Sequence, residues 1–266
     1  MHNQSNKQYK IGIALSGGGA RGFAHAGALK ALEEFGIRPD ILAGVSAGSI
    51  VASLYASGMS PDKITPLFSG LKFNDLCEPC IPKNGFFKLD KLKRFLSKHI
   101  VVNDIQDLQI PTIICATNLD YSTPIAFTVG NIAERVVASC SIPIVFNPVK
   151  IDGVYYVDGG VTNNLPAWAL RDKCEFLIGI NCSPLMQENF NYTLIETAQR
   201  SFELMACGNA SKDIPLCDIV IETTNIATHK VFNLKDSMSV YKSGYDSTMN
   251  ILVNNRELIN KIIRNE

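Results

Sequence analysis

The sequence predicts an α/β fold built on a mostly parallel central sheet. Three observations point there. Short runs rich in isoleucine and valine recur along the chain, the pattern of strands buried on both faces. Apolar stretches at helical spacing alternate with them. The first two strand-to-helix junctions are small-residue turns, "GGGARG" at 17–22 and "GVSAG" at 44–48.

The opening element is "YKIGIALS" at 9–16, short and apolar enough for a buried parallel strand. After the glycine turn, Phe23, Ala24, Gly27, Ala28, Leu29, Ala31, Leu32 and Phe35 recur at helical spacing, and Gly36 ends the run. A second strand, "DILAGV", leads into Ser46, and "AGSIVASLYASGM" reads as the helix that follows. Further strands are expected at 112–119, 125–130, 176–182 and 218–223. Further helices are expected at 61–70, 89–100, 131–140, 193–207 and 237–263. Pro61 and Pro166 sit where helical turns begin.

A chain of 266 residues with 46% apolar content can bury a substantial core. The reading is a single domain over 9–263 behind a flexible tail at 1–8. Positive and negative charges balance at net zero, so no nucleic-acid partner is expected and any membrane contact must be local. No apolar run reaches the roughly 18 residues that cross a bilayer. The polar start "MHNQSNKQYK" lacks the apolar centre of a signal peptide. The expected location is cytoplasmic, with peripheral membrane contact left open. Oligomeric state leaves no signal.

The eight cysteines are scattered, and reduced thiols fit that location. Cys115, Cys140 and Cys182 lie in apolar stretches and read as small packing residues. Cys77 and Cys80 form one close pair, but a second pair at zinc-ribbon spacing is missing, so no metal site is expected.

The chemistry concentrates at three places. In "GVSAG", Ser46 follows a strand and precedes a helix, the context of a nucleophile elbow, with Gly44 and Gly48 as its small flanks. The plainer reading is a tight turn with Ser46 capping a helix. In "GGGARG", Gly17, Gly18 and Gly19 present approachable N–H groups at a helix start, a cradle for negative charge, with Arg21 and Gly22 completing the turn. The same letters match the dinucleotide fingerprint G-x-G-x-x-G. That fold places an acidic residue at the end of the second strand. Here that strand runs into Ser46, and Asp40 stands at its other end. No Gly-Lys-Ser/Thr follows, so a P-loop fails as well. In "VYYVDGGVTNNLP", Asp158 stands on a turn before Gly159 and Gly160; alone this is an ordinary Asp-Gly turn.

None of the four histidines, His2, His25, His99 and His229, lies in a triad context. A serine activated directly by a carboxylate is chemically allowed, and works best when the site raises the carboxyl pKa toward neutrality.

"GGGARG", "GVSAG" and "DGG", in this order, resemble the patatin-like phospholipase family. The likeness extends through "LSGGGARGFAHAGALKALEEFGIRPDILAGVSAGSIVASLYASG" and "ASCSIPIVFNPVKIDGVYYVDGGVTNNLP", covering residues 9 to about 180. The resemblance implies a three-layer α/β/α fold and hydrolysis of lipid acyl esters by a Ser–Asp dyad, with no cofactor and no metal. It implies Ser46 as nucleophile, Asp158 as base, and the amides of Gly17, Gly18 and Gly19 as the oxyanion hole. A lipid or other acyl ester is the implied substrate, and the region 71–110 is expected to shape access to it.

Within that region, "FFKLDKLKRFLSKHI" at 86–100 is basic and amphipathic. Its apolar stripe reads first as a core-facing side and second as a membrane-surface face. "NGFF" at 84–87 is a candidate mobile lip. Three other functions stay in competition: a short-chain carboxylesterase or thioesterase on the same machinery, a non-catalytic binding module, and a nucleotide-binding oxidoreductase.

Overall fold

A computed structural model describes residues 7–184, 193–223, 233–257, 259 and 262. The chain order is β1 (Tyr9–Leu15), α1 (Phe23–Glu34), β2 (Ile41–Val45), α2 (Ala47–Ala56), α3 (Pro61–Leu67), α4 (Phe73–Leu76), β3 (Glu78–Pro79), β4 (Gly85–Lys88), α5 (Asp90–His99), β5 (Thr112–Asn118), β6 (Thr123–Phe127), α6 (Ile132–Ser139), β7 (Ile144–Phe146), β8 (Val149–Ile151), β9 (Val154–Asp158), β10 (Cys174–Asn181), α7 (Leu194–Ala210), β11 (Ile219–Glu222) and α8 (Ser237–Asn254). The expected mixed α/β architecture is present.

Eight strands form the main sheet in the order β11-β10-β1-β2-β5-β9-β8, with β6 also on β5. The five strands from β11 to β5 are parallel. Their side chains alternate between two cores. Ile11, Ile13 and Leu15 of β1 enter the larger one beneath α1, α2 and α5, while Ala14 turns to the opposite face. That second face is covered mainly by 3-10 turns at Pro166–Ala169 and Ile214–Leu216 and by the end of α7. The third layer is therefore thinner than the first.

One detail of register positions the site. β6 covers one edge of β5 along residues 114–118. β2 pairs with β5 as far as Val45 opposite Cys115, and β9 pairs with it from Asp158 opposite Ala116. Both must lie on the other edge, so their C-terminal ends meet at consecutive positions of β5. Asp158 is thereby brought to the residue that follows Val45, which is Ser46.

Two expectations need correction, those for "NGFF" and for the helix 237–263. "NGFF" is not a lip: Gly85–Lys88 is a strand that pairs with β3 and β7 in a small second sheet. The cause is aromatic packing, with Phe87 against Phe73 at 5.3 Å and Phe146 at 6.5 Å between ring centroids. The stripe on α5 faces inward, as its first reading had it, with Leu92 and Leu96 buried and Phe95 stacked between Phe68 and His99. No apolar face of that helix is left for a lipid surface. The expected helix 237–263 is interrupted after Asn254, where Asn255 leaves helical angles and its side-chain amide bonds Ile251 O. No helix among the described residues is long and apolar enough to cross a membrane.

Candidate active site

Ser46 is the residue between β2 and α2, and its backbone is strained, with φ 51° and ψ −122°. A non-glycine residue in that region persists only when its surroundings hold it there. The restraint is visible. The Ser46 N–H donates to Ser139 Oγ at 2.8 Å, and Ser139 Oγ donates to Cys115 O at 2.6 Å. Tight packing explains the small flanks: a Cβ on Gly44 would lie 2.5 Å from Gly48 O, and one on Gly48 would lie 2.3 Å from Leu15 O. Elbow and helix cap are thus one arrangement, since Ser46 O accepts the Ser49 and Ile50 amides of the first turn of α2.

Asp158 ends β9 and is fully buried. Its Oδ1 accepts the Gly160 N–H at 2.9 Å, and its own N–H donates to Ser141 O. Burial pushes its carboxyl up to about 7; the Gly160 amide and the nearby Ser46 hydroxyl pull the other way. Oδ2 makes no hydrogen bond of ordinary geometry. The Ser46 hydroxyl is close enough to act on the charge without closing a bond. Such pairs commonly tighten only when a reacting group arrives.

The glycine turn lies across from this pair. Gly17, Gly18 and Gly19 line the same polar pocket as Ser46 and Asp158, together with Arg21. One expectation changes here. The Gly17 N–H is engaged by Asn164 O at 3.1 Å, so it is not free to hold another anion. Among the described residues, the Gly18 and Gly19 amides donate to no protein acceptor, which narrows the donor set to these two. Arg21 and Gly22 lie in the 3-10 turn Gly19–Gly22 that follows, with Gly22 against Ala47. Gly159 and Gly160 begin a 3-10 turn capped by the Asp158 side chain.

His25 is buried beneath this turn rather than beside Ser46. Its Nε2 bonds Ser16 O at 2.8 Å and lies 3.3 Å from Cys182 Sγ. Burial lowers its pKa to about 4, so the ring is neutral. His99 stacks on Phe95, while His2 and His229 lie outside the described residues. The eight cysteines are free thiols, Cys77 and Cys80 among them, and burial raises Cys140, which lies next to Ser46. No cluster of potential metal ligands occurs among the described residues.

Two cavities meet at Ser46. The polar one contains the groups just described and is bordered by Gln199, Arg200 and Glu203 of α7. The other is an apolar cleft of about 840 Å³ including its open mouth, lined by Ile50, Val51, Phe68, Leu92, Phe146 and other apolar side chains. Sequence reading missed Ser139, Ser141 and Asn164. The first two are polar residues interrupting an apolar run, which is a usable signal; Asn164 in "TNNLP" looked like ordinary turn chemistry.

The patatin-like phospholipase family model matches residues 13–171. The lysophospholipase NTE1 of Cryptococcus neoformans is 34% identical over 170 residues, covering 62% of this chain and 10% of that protein. The lysophospholipase NTE1 of Saccharomyces cerevisiae is 28% identical over 181 residues, covering 64% of this chain and 11% of that protein. An uncharacterized protein of Acanthamoeba polyphaga mimivirus is 33% identical over 189 residues, covering 63% of this chain and 64% of its own length. The matched segment thus spans only about a tenth of the fungal relatives. Among solved structures, VipD from Legionella pneumophila aligns with a TM-score of 0.58 at 17% identity, covering 96% of this chain and 69% of that one. That likeness concerns the fold.

Proposed function

The chain belongs to the patatin-like phospholipase family, and from that premise we propose that it hydrolyses carboxylic esters of lipids with Ser46 as nucleophile and Asp158 as base. The observation that carries this reading is the strained Ser46 turn sharing a pocket with a buried carboxyl pushed up to about 7. A carboxylate of that basicity is matched to accepting a proton near neutral pH.

In the proposed mechanism, Asp158 takes the hydroxyl proton as Ser46 Oγ attacks the ester carbonyl. The Gly18 and Gly19 amides hold the resulting oxyanion, the kind of electrostatic term that dominates acyl transfer. The protonated Asp158 returns the proton to the departing alcohol. Water then attacks the acyl-enzyme with Asp158 accepting its proton, Asp158 returns that proton to Ser46 Oγ as the acyl bond breaks, and the carboxylic acid leaves. His25 takes no part, since it is buried with its Nε2 on Ser16 O and lines neither cavity at Ser46.

The apolar cleft beside Ser46 favours a long acyl chain over a short one. Its lining is almost wholly apolar, the surface an acyl chain would bury against. Lysophospholipids are the first substrates to test, because the fungal relatives are named for them. The test is hydrolysis of an ester series of increasing acyl length, with Ser46→Ala and Asp158→Asn beside the wild type. The reading expects kcat/KM to rise with chain length and both variants to fall to background while folded. A flat or falling profile supports the short-chain esterase instead. An inert wild type supports a binding module.

A further inference from the structure

We infer that the side-chain amide of Asn164 is a third donor to the oxyanion, in the place that the Gly17 N–H does not fill. The inference rests on the Ser46 reading and adds a catalytic residue to it. Asn164 is 2% exposed, and its Nδ2 has no hydrogen-bond partner among the described residues. A buried amide left without a partner costs roughly 1–3 kcal/mol, so such groups are rare and call for an explanation.

Its position supplies one. Asn164 lines the polar pocket with Ser46, Asp158 and the glycine turn. A methyl group built on Gly17 would meet Asn164 Oδ1 at 2.4 Å and Ser46 Cβ at 3.3 Å. The carboxamide and the nucleophile therefore flank one point above Gly17. The Asn164 main chain is fixed there as well, because its carbonyl accepts the Gly17 N–H. That bond does two things at once. It removes Gly17 from the donor set and anchors the asparagine whose side chain replaces it. Oδ1 is the atom set toward this point; the two ends of a carboxamide interchange by a half-turn, and that turn brings the NH₂ group to it. As Ser46 Oγ bonds to the ester carbon, the carbonyl oxygen gains a full negative charge. A neutral, buried, pre-positioned N–H donor is the group that such a charge needs.

The test compares Asn164→Ala and Asn164→Asp with wild type. The first removes the donor and keeps the main-chain bond to Gly17; the second keeps the shape and sets a carboxyl against the oxyanion. The inference expects kcat to fall about 100- to 1,000-fold in Asn164→Ala and further in Asn164→Asp, with KM within about threefold of wild type. Affinity for a trifluoromethyl ketone, which mimics the tetrahedral oxyanion, falls in parallel, while affinity for the product fatty acid does not. A merely structural role predicts the opposite split: loss of thermal stability and of fatty-acid affinity, with the ratio of ketone to fatty-acid affinity unchanged. That result, or a kcat within threefold of wild type, overturns the inference. A wild type that is inert on every ester, with no ketone binding, overturns the Ser46 reading and this inference with it. An active wild type with an unimpaired Asn164→Ala overturns this inference alone.

Discussion

Replacing Asp158 by asparagine should abolish ester hydrolysis and stabilise the protein, and the stabilisation should grow with pH. The sign follows from burial. The carboxyl is pushed up from an ordinary 3.8 to about 7, so the folded chain holds its proton more tightly than the unfolded chain. Between those values the unfolded state ionises and the folded state does not, and stability falls as pH rises. Below the ordinary value there is no loss; above about 7 the full loss is present, about 4 kcal/mol at 1.36 per pH unit. The Asp158→Asn variant would carry no such loss, although burying the NH₂ group of the new side chain is unfavourable to a degree independent of pH. Comparing two pH values removes that constant. From pH 5.5 to the folded value of about 7, wild type loses about 2 kcal/mol that the variant keeps. In a chain of this size that is about 4–8 °C in Tm. The assay is thermal unfolding of both proteins near pH 5.5 and near pH 8.5. The variant's advantage should be larger at the higher pH by that amount. An equal advantage at both values, or a wild type favoured at high pH, would refute the account of Asp158 as a carboxyl destabilised by burial.

The kcat/KM of wild type should fall on the acid side with an apparent pKa near 7, because the free enzyme needs Asp158 ionised; a limb near 4 would place the base elsewhere. Gly27→Ala and Gly244→Ala should each destabilise by about 2–3 kcal/mol, since their Cβ atoms would come 1.9 Å from Tyr241 O and 2.0 Å from Ala24 O where α1 crosses α8; the urea midpoint reads this. Ser139→Ala removes the acceptor of the Ser46 N–H and should cost about 1–3 kcal/mol together with most of the activity, checked by melting and by hydrolysis. Ile50→Trp narrows the apolar cleft and should reduce activity on long acyl esters while sparing short ones, read as a shift in the chain-length profile.

The residues at the centre of the site were legible because each announces itself locally. Ser46 lies between glycines at a strand-to-helix junction, Asp158 precedes a glycine pair, and three glycines follow the first strand. Each pattern is forced by close approach, as with Gly48 against Leu15 O. What stayed hidden depends on elements far apart in the chain. Asn164 engages Gly17, and Ser139 holds Ser46 from 93 positions away, and no local pattern encodes either contact. The small sheet was also hidden. β3, β4 and β7 are two, four and three residues long, too short to show alternation, and Phe87, Phe73 and Phe146 rather than strand propensity hold them. The stripe on α5 was visible, but only packing decides whether such a stripe meets a core or a membrane.

The most direct test of the central claim, a serine activated by a carboxylate alone, is reaction with a fluorophosphonate followed by peptide mass mapping across a range of pH. The account predicts one adduct, on Ser46, forming faster as pH rises through about 7 and suppressed in Asp158→Asn. An adduct on another residue, or undiminished labelling of Ser46 in Asp158→Asn, would contradict it.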